Sequence, residues 1–178
     1  MRVNIGCGKY PLDGYTNVDA SQDSAADVRM DAFAFLATLA DDSLEEVYAG
    51  HFLEHLTQLE GQAFLAECYR VLQPGGVCAI VVPDMRTILA EWLANTATVA
   101  EYPEGVYWPI RDLVAVCGLF LYGTCQESQH RWCYEGATLG RAMLRAGFVN
   151  LQPIDRENDP RLGAPAWFQG GWDGTKPQ

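Results

Sequence analysis

Short runs of apolar residues recur along the 178-residue chain, and most of them end in small or polar residues. Runs of this length that are rich in Val and Ile predict buried strands. "VCAIVV" is apolar throughout, which is typical of a central parallel strand covered on both faces. The predicted strands are "RVNI", "TNV", "ADVRM", "EEVYAG", "VCAIVV" and "FVNLQPI", with a last short strand in the tail "GAPAWFQGGWDGTKPQ".

Helical periodicity is present in two longer segments and a short one. In residues 57–72, the apolar residues Phe64, Cys68 and Leu72 recur four apart, which predicts an amphipathic helix. "QPGG" is expected to stop this helix, because Pro cannot continue it and Gly tolerates the terminating conformation. "GATLGRAMLRA" predicts a second long helix, and "DAFAFLATL" predicts a short helix or turn.

This alternation of strands and helices predicts an α/β protein with an open, mostly parallel sheet flanked by helices. The length fits a single domain over residues 1–178. In such sheets ligands bind beyond the carboxyl ends of the strands. The polar residues expected there are Gly6 to Gly8, Asp19, Asp31 and His51.

The connection between the first two predicted strands is unusually short. Residues 9–16 contain Pro11 and Gly14, so they cannot form the crossover helix that normally joins parallel strands. The preceding turn, Gly6-Cys7-Gly8, lets a ligand approach the backbone closely, although such a tripeptide can also be a plain turn. Asp19, at the end of the next strand, can accept two hydrogen bonds from a ribose diol or can be a solvated turn carboxylate.

Asp31, like Asp19, has one ligand-binding and one structural interpretation. Its carboxylate can accept a hydrogen bond from an adenine amino group, or it can cap the helix "AFAFLATL". A pyrophosphate ligand is disfavoured, because Lys9, Tyr10 and Pro11 follow Gly8 and no helix N-terminus is available there. A ligand that contains adenosine without phosphate fits better.

Five segments of the chain resemble the class I S-adenosylmethionine-dependent methyltransferases, and more narrowly the small methyltransferase type 11 group. They are "VNIGCGKYPLDGYTNVD", "ADVRMDAF", "LEEVYAGHFLEHL", "RVLQPGGVCAIVVPD" and "HRWCYEGATLGRAMLRAGF", which occur in the family's order between residues 2 and 150. "RVLQPGG" followed by an apolar strand is the most specific of them. The resemblance implies a Rossmann-like class I methyltransferase fold with a shortened first crossover, and S-adenosyl-L-methionine as cofactor.

The resemblance also implies roles for individual residues. Asn4 stands where many members carry an acid near the methionine amino group, and the turn after it would pass along the methionine portion. Asp19 matches the acid that binds the ribose. Asp31 and Ala32 match the acid on the adenine side and the residue after it. The implied cofactor-binding residues are Asn4, Gly6, Cys7, Gly8, Asp19, Asp31, Ala32 and His51.

Methyl transfer is an in-line displacement, so the enzyme chiefly holds nucleophile, methyl group and sulfur in line. A hydroxyl acceptor also needs a base, and histidine has a suitable pKa. His51 is the first candidate for a catalytic residue because it lies just after the fourth strand. His130 is the second, with a structural or surface role as its alternative.

The acceptor must be covered by part of the chain. The sequence begins at its first strand, so we expect residues 85–135, which are rich in aromatics, to form an acceptor-pocket or lid insertion. Trp92 and Trp108 can instead be core residues. The acceptor is expected to be a small molecule, a sugar or a lipid-linked intermediate. The alternative is a non-catalytic cofactor-binding or scaffold protein with this fold.

Two sets of residues resemble metal-binding patterns, but we expect neither of them to bind a metal ion. "HFLEH" fits the zinc-protease pattern H-x-x-E-H, but the simpler interpretation is that Glu54 and His55 start a helix. A second set of residues lacks the close ligand pair of a zinc site. These residues are Cys117, Cys125, His130 and Cys133.

The composition limits the partners that we expect the protein to bind. The net charge of −11 disfavours nucleic acid, which is bound chiefly through Lys and Arg. No signal peptide is evident and "LVAVCGLFLYG" is too short to span a bilayer, so we expect a cytoplasmic protein without membrane insertion. The six cysteines lack CxxC spacing and are expected to be free thiols. A homodimer is left open.

Overall fold

The structure is a computed structural model that describes residues 1–94, 130–162 and 168–178. Seven strands form one sheet in the order β3-β2-β1-β4-β5-β7-β6. The first five are mutually parallel, whereas β7 runs antiparallel to both β5 and β6, so the prediction of a mostly parallel sheet is confirmed. The strands are β1 (Arg2–Ile5), β2 (Thr16–Asp19), β3 (Val28–Arg29), β4 (Leu44–Gly50), β5 (Leu72–Pro83), β6 (Val149–Pro153) and β7 (Gln169–Thr175).

Helices connect these strands. They are α1 (Ala32–Ala37), α2 (Gln58–Val71), α3 (Met85–Ala94) and α4 (Gly136–Arg145), with a short 3₁₀ helix at Leu53–His55. Two of them begin with reciprocal capping boxes, in which the cap and the residue three positions on each satisfy a backbone N–H of the other. Thr57 and Glu60 form this box at α2, and Glu135 and Thr138 form it at α4.

The expectation that Glu54 and His55 start the long helix is wrong. They belong to the separate 3₁₀ helix, which ends where Leu56 becomes extended. Helix α2 begins at Gln58, because the side chain of Thr57 accepts the amide of Glu60 there. Glu54 is therefore held by a tight turn that follows β4, and not by the N-terminus of α2.

"QPGG" lies inside strand β5 and not at a free helix end. The chain passes from Val71 directly into β5, where Leu72 pairs with Leu44. The register of β5 against β4 then shifts, and regular pairing resumes at Val77. The four residues of "QPGG" occupy this irregularity, with Gly75 at a φ of 82°.

The two faces of the sheet are covered differently. Successive residues of a strand point to opposite faces, and the helices α1, α2 and α4 pack on the face that includes Val47 and Ile80. The other face carries Tyr48 and Val81. In the described part of the chain, its apolar cluster is completed by loop and strand-end residues: Leu12, Tyr15, Ile154 and Leu162.

The shortened first crossover is fixed by one buried side chain. The oxygen Oδ1 of Asn17 accepts the amide of Leu12 at 2.7 Å, and Nδ2 donates to the carbonyls of Leu12 and Tyr15, each at 3.3 Å. Asp27 accepts both the backbone amide and the Nδ2 of Asn17, at 2.8 and 2.9 Å. Side-chain bonds from β2 thus replace the helix that the sequence cannot form.

No helix within the described residues is long and apolar enough to cross a membrane. The predicted acceptor insertion over 85–135 falls mostly in 95–129, outside the described residues, and so do Trp108, Cys117 and Cys125. Its described parts are the helix α3 and the residues that lead into α4.

Candidate active site

A cleft of about 480 Å³ opens at the carboxyl ends of β1 and β4. This volume is in the range of small-molecule and cofactor sites. The position agrees with the rule that ligands of parallel α/β sheets bind beyond the strand ends. The cleft is lined by Asn4, Gly6, Cys7, Gly8, Lys9, Tyr10, Tyr48, Gly50, His51, Arg161, Leu162 and Gln169.

The turn after β1 requires glycine at two positions for different reasons. Gly6 has a φ of 69°, and a Cβ there would lie 2.6 Å from the ring of Phe52. Gly8 has a φ of 52°, but a Cβ there would meet no atom within 4 Å. Gly6 is therefore fixed by protein packing, whereas Gly8 leaves open space at the cleft.

Asp19 lies beside this turn, as predicted. Its Oδ2 accepts the amide of Gly8 at 2.8 Å, and its Oδ1 accepts the amide of Ser21 at 2.8 Å. The backbone adds contacts, because the amides of Gly6 and Cys7 both donate to the carbonyl of Val18. Each carboxylate oxygen retains a second lone pair, so the acid can hold the turn and still accept from a ligand.

Asp31 is the N-cap of α1. Its Oδ1 accepts the amides of Phe33 and Ala34, each at 3.0 Å. Ala32, the first residue of α1, is buried. The helix-cap interpretation of Asp31 is thus observed, and neither Asp31 nor Ala32 lines the described cleft.

Asn4 is almost fully buried and lines the cleft. Its Nδ2 donates to Oδ1 of Asn17 at 2.9 Å and to the carbonyl of Tyr10 at 3.3 Å. Both N–H groups are used, so the side-chain oxygen is the atom that remains for a ligand. A neutral oxygen can accept from the ammonium group of a methionine, although it supplies no full charge.

His51 ends β4 in a left-handed conformation, with a φ of 54°. Its amide donates to the carbonyl of Val81 at 2.9 Å, and its ring packs edge-on against Phe168. Nδ1 lies 3.3 Å from Oε1 of Glu54, while 39% of the side chain is exposed. Positive φ is costly for a non-glycine residue and is typical of functional sites. The strain directs this imidazole into the cleft.

Glu54 is buried behind His51, and its carboxylate oxygens accept no hydrogen bond from the described residues. The rings of His55 and His130 stack edge-on with centroids 4.9 Å apart. One oxygen of Glu54 and one nitrogen of each ring lie within 4.8 Å of one another. Burial lowers the pKa of His130, against an opposing effect of Glu54. His130, the second candidate base, is absent from the described lining of the cleft.

The thiol of Cys7 is held in its neutral form. Burial, with the nearby charges of Asp19 and Asp27, raises its pKa to about 11. A thiol with this pKa is almost entirely protonated near neutral pH, so it is a poor nucleophile. Cys7 therefore lines the cleft as a small apolar group.

The far wall of the cleft was not predicted from the sequence. Arg161 contacts carboxylates of Glu46, Asp159 and Asp173, and its guanidinium lies over the ring of Tyr48. Burial raises the pKa of Tyr48 to about 12. Alternation along β4 could have identified Tyr48, since it faces away from Val47. Arg161 follows β6 in a loop, and no local pattern places it against β4.

Gln169 is a second missed residue. It begins β7 beside the end of β5, lines the cleft and is only 8% exposed. Its Oε1 accepts no hydrogen bond within residues 1–94, 130–162 and 168–178. A buried amide oxygen without a donor is costly, so a ligand donor at this position would be favourable.

The sheet order, with β7 antiparallel between β5 and β6, and a cleft at the glycine turn define the class I methyltransferase fold. The family model described as "Methyltransferase domain" matches residues 12–80. No curated protein matches the chain in sequence. Residues 12–80 are thus similar to a methyltransferase domain family, and the chain has the fold of the class I S-adenosylmethionine-dependent methyltransferases.

Solved structures share the fold at low sequence identity. A SAM-dependent methyltransferase from Archaeoglobus fulgidus is 16% identical with a TM-score of 0.62, over 98% of this chain and 85% of that one. A possible histamine N-methyltransferase from Thermotoga maritima is 16% identical with a TM-score of 0.61, over 98% and 81%. Phosphoethanolamine N-methyltransferase 2 of Haemonchus contortus, solved with S-adenosyl-L-methionine, is 13% identical with a TM-score of 0.58, over 99% and 48%.

Proposed function

We propose that this enzyme transfers the methyl group of S-adenosylmethionine to a hydroxyl of a small-molecule acceptor, a class that includes sugars and lipid-linked intermediates. The observation that carries the proposal is the position of His51, which is strained at the end of β4 and lines the same cleft as the glycine turn. The net charge of −11 argues against a nucleic-acid acceptor. The cytoplasm is the proposed location.

The cofactor's methionine portion would lie along Gly6, Cys7 and Gly8, since Gly8 leaves room for close approach. The oxygen of Asn4 would accept from the ammonium group. Asp19 would accept from the ribose hydroxyls with its remaining lone pairs, which the adjacent glycine turn positions.

The adenine would lie on the side of Asp31 and Ala32. The cap hydrogen bonds use Oδ1 of Asp31, and its Oδ2 is the atom offered to the adenine amino group.

His51 would act as the base. With Nδ1 turned to Glu54, the opposite nitrogen Nε2 is available to accept the acceptor's hydroxyl proton. Glu54 then stabilises the imidazolium that forms, so Glu54 is a positioning residue. General-base catalysis of this kind contributes about 10²–10⁴-fold to the rate. The bound cofactor supplies the electrophilic methyl group.

The acceptor would be held on the far side of the cleft. Gln169 supplies a buried oxygen without a described donor, and Arg161 and Leu162 form the adjacent wall. The insertion over residues 85–135 would complete the acceptor pocket. His130 stays the second candidate for the base.

The decisive experiment separates cofactor binding from turnover. Calorimetry would measure S-adenosylmethionine and S-adenosylhomocysteine binding to the wild type, to Asp19→Ala and to His51→Asn. Asp19→Ala is expected to weaken binding by about 10-fold or more, because a charged acceptor is lost. Asn accepts the left-handed conformation, so His51→Asn should bind the cofactor with little change.

Turnover would be followed with a labelled methyl group over a panel of hydroxylated metabolites, sugars and lipid-linked sugars. The wild type should methylate at least one class, and His51→Asn should be slower by about 10²-fold or more. Glu157→Gln, an exposed acid-to-amide change, is the control for both assays. Absence of binding by both S-adenosylmethionine and S-adenosylhomocysteine would favour the scaffold alternative. Unchanged turnover in His51→Asn would remove His51 from the mechanism.

A further inference from the structure

The carboxylate of Glu54 is in an unusual environment. The residue is 2% exposed, and neither carboxylate oxygen accepts a hydrogen bond from the described residues. Burial of a carboxylate without donors is strongly unfavourable unless a cation is close. His51 lies 3.3 Å away through Nδ1, but its imidazole supplies a positive charge only when protonated. A buried acid of this kind indicates an additional ligand.

All three histidines of the chain converge on this acid. His51 approaches one carboxylate oxygen from the end of β4. His55 follows Glu54 in the 3₁₀ helix, and His130 comes from a segment 75 positions later in the chain. One carboxylate oxygen and one nitrogen each from His55 and His130 lie within 4.8 Å of one another. The half-buried state of the two histidines leaves an entry path from solvent.

We propose that Glu54, His55 and His130 form a binding site for a divalent transition-metal ion of the zinc class. Two imidazoles and one carboxylate are a donor set typical of Zn²⁺ with an open fourth position. Metal–ligand bonds of 2.0–2.2 Å place the ligand atoms of a tetrahedron roughly 3.4 Å apart. The observed spacing closes to this value with side-chain movements of about 1 Å.

The backbone already holds the two halves of the site together. The carbonyl of Glu54 accepts the amides of Arg131 and Trp132, at 2.8 and 3.1 Å. Arg131 also contacts Glu60 at the start of α2, at 2.9 Å. A metal ion would therefore bind a preformed junction between the turn after β4 and the chain that leads into α4.

This site differs from the zinc-protease pattern considered in the sequence. There the two histidines of "HFLEH" are ligands and the acid is the base. Here the acid is a ligand, and His51 stays in the cleft beside it. The two oxygens of Glu54 allow one to face His51 while the other binds the metal. The proposal does not depend on the identity of the acceptor.

The test uses full-length protein without a polyhistidine tag, stripped of metal by a chelator and dialysed. Titration with Co²⁺ should give visible absorption bands of low-symmetry coordination that saturate at a single ion per chain, and Zn²⁺ should displace them. Zn²⁺ in about 100-fold excess over its Kd should raise the Tm by ~5–10 °C. Glu54→Gln, His55→Ala and His130→Ala should each weaken Co²⁺ binding by about 100-fold or more.

Glu157→Gln is the matched control and should bind Co²⁺ like the wild type, because that acid is exposed. Circular dichroism and S-adenosylhomocysteine binding of each variant show whether it is folded. The proposal is overturned if the wild type takes up no stoichiometric Co²⁺ or Zn²⁺. It is also overturned if folded His55→Ala and His130→Ala bind the metals as tightly as the wild type.

Discussion

Gly6 and Gly8 both have a positive φ, but the space around a Cβ differs between the two positions. A methyl group on Gly6 collides with Phe52, whereas one on Gly8 enters open space at the cleft. Gly6→Ala is therefore expected to lower the free energy of unfolding by about 2–4 kcal/mol, through strain and overpacking. Gly8→Ala should cost only about 1–2 kcal/mol from its backbone conformation. Urea unfolding measures both.

Cofactor affinity should rank the two variants differently. Gly8→Ala places its methyl group where the methionine portion is proposed to pass, so calorimetry should show a loss of about 10-fold or more in S-adenosylmethionine affinity. At temperatures where Gly6→Ala is folded, its affinity should fall less. A Gly8→Ala variant with unchanged cofactor affinity would contradict this position for the ligand.

The pKa of Cys7 gives a prediction with a defined sign. Raised to about 11, it keeps the thiol neutral in the folded protein, whereas the thiol of the unfolded chain has an ordinary pKa of 9.0. The stability that depends on this group is present below pH 9 and is lost as the pH rises through 11. Iodoacetamide followed by peptide mass mapping should leave Cys7 unmodified at pH 8 in folded protein and modify it in urea. Rapid modification of Cys7 in folded protein at pH 8 would contradict the prediction.

Residue types alone predicted the positions of Asp19 and His51 in the fold. Asp19 was predicted from its place after a strand, and the structure brings it to the glycine turn. His51 was predicted from its position after "EEVYAG" and lines the cleft. Gln169 gave no signal, because its burial depends on the antiparallel pairing of β7 with β5.

Among the elements, the first crossover depends on Asn17 more than on its own residues. Asn17→Ala removes bonds to Leu12, Tyr15 and Asp27, and leaves part-buried backbone groups unsatisfied. We expect a loss of about 2–4 kcal/mol in the free energy of unfolding. Chemical denaturation would measure it. Asn158→Ala, which removes an exposed amide, should change stability by less than about 0.5 kcal/mol.

A conservative variant sharpens this comparison. Asn17→Asp keeps the shape but loses both donors of Nδ2 and adds a negative charge beside Asp27. It should be at least as destabilising as Asn17→Ala. Equal stability of Asn17→Asp and the wild type would show that the crossover is held by something other than this side chain.

Periodicity identified the elements better than their boundaries. The pattern in residues 57–72 predicted α2, and Phe64 and Cys68 are fully buried in it. Leu59, an apolar residue in the same segment, is 76% exposed. The 3₁₀ helix at Leu53–His55 was not predicted, since a three-residue helix has no periodicity.

At the scale of the whole molecule, Arg161 joins parts that are distant in sequence. It binds Glu46 on β4, Asp173 on β7 and Asp159 in its own loop, with 14% of its side chain exposed. Arg161→Ala would leave three carboxylates together without their cation. It should destabilise the fold by about 3 kcal/mol, since breaking a buried ion pair leaves uncompensated charge.

Thermal unfolding would measure this effect, with Arg141→Ala on the exposed surface of α4 as the matched control. Arg161→Lys should recover only part of the loss, because an ammonium group cannot bridge several carboxylates in the geometry of a guanidinium. Equal melting temperatures of Arg161→Ala and Arg141→Ala would contradict a central role for this residue.

The face of the sheet that bears Tyr48 is closed by Leu12 and Tyr15 where a crossover helix normally stands. A methyl donor in the neighbouring cleft would contact the same loop through Tyr10, and would thereby help to hold the loop in place. The loop would lose this contact when the spent cofactor leaves and regain it when the next one binds. Amide protons of residues 9–16 should accordingly exchange with solvent more slowly once S-adenosylhomocysteine is added, in step with its saturation curve.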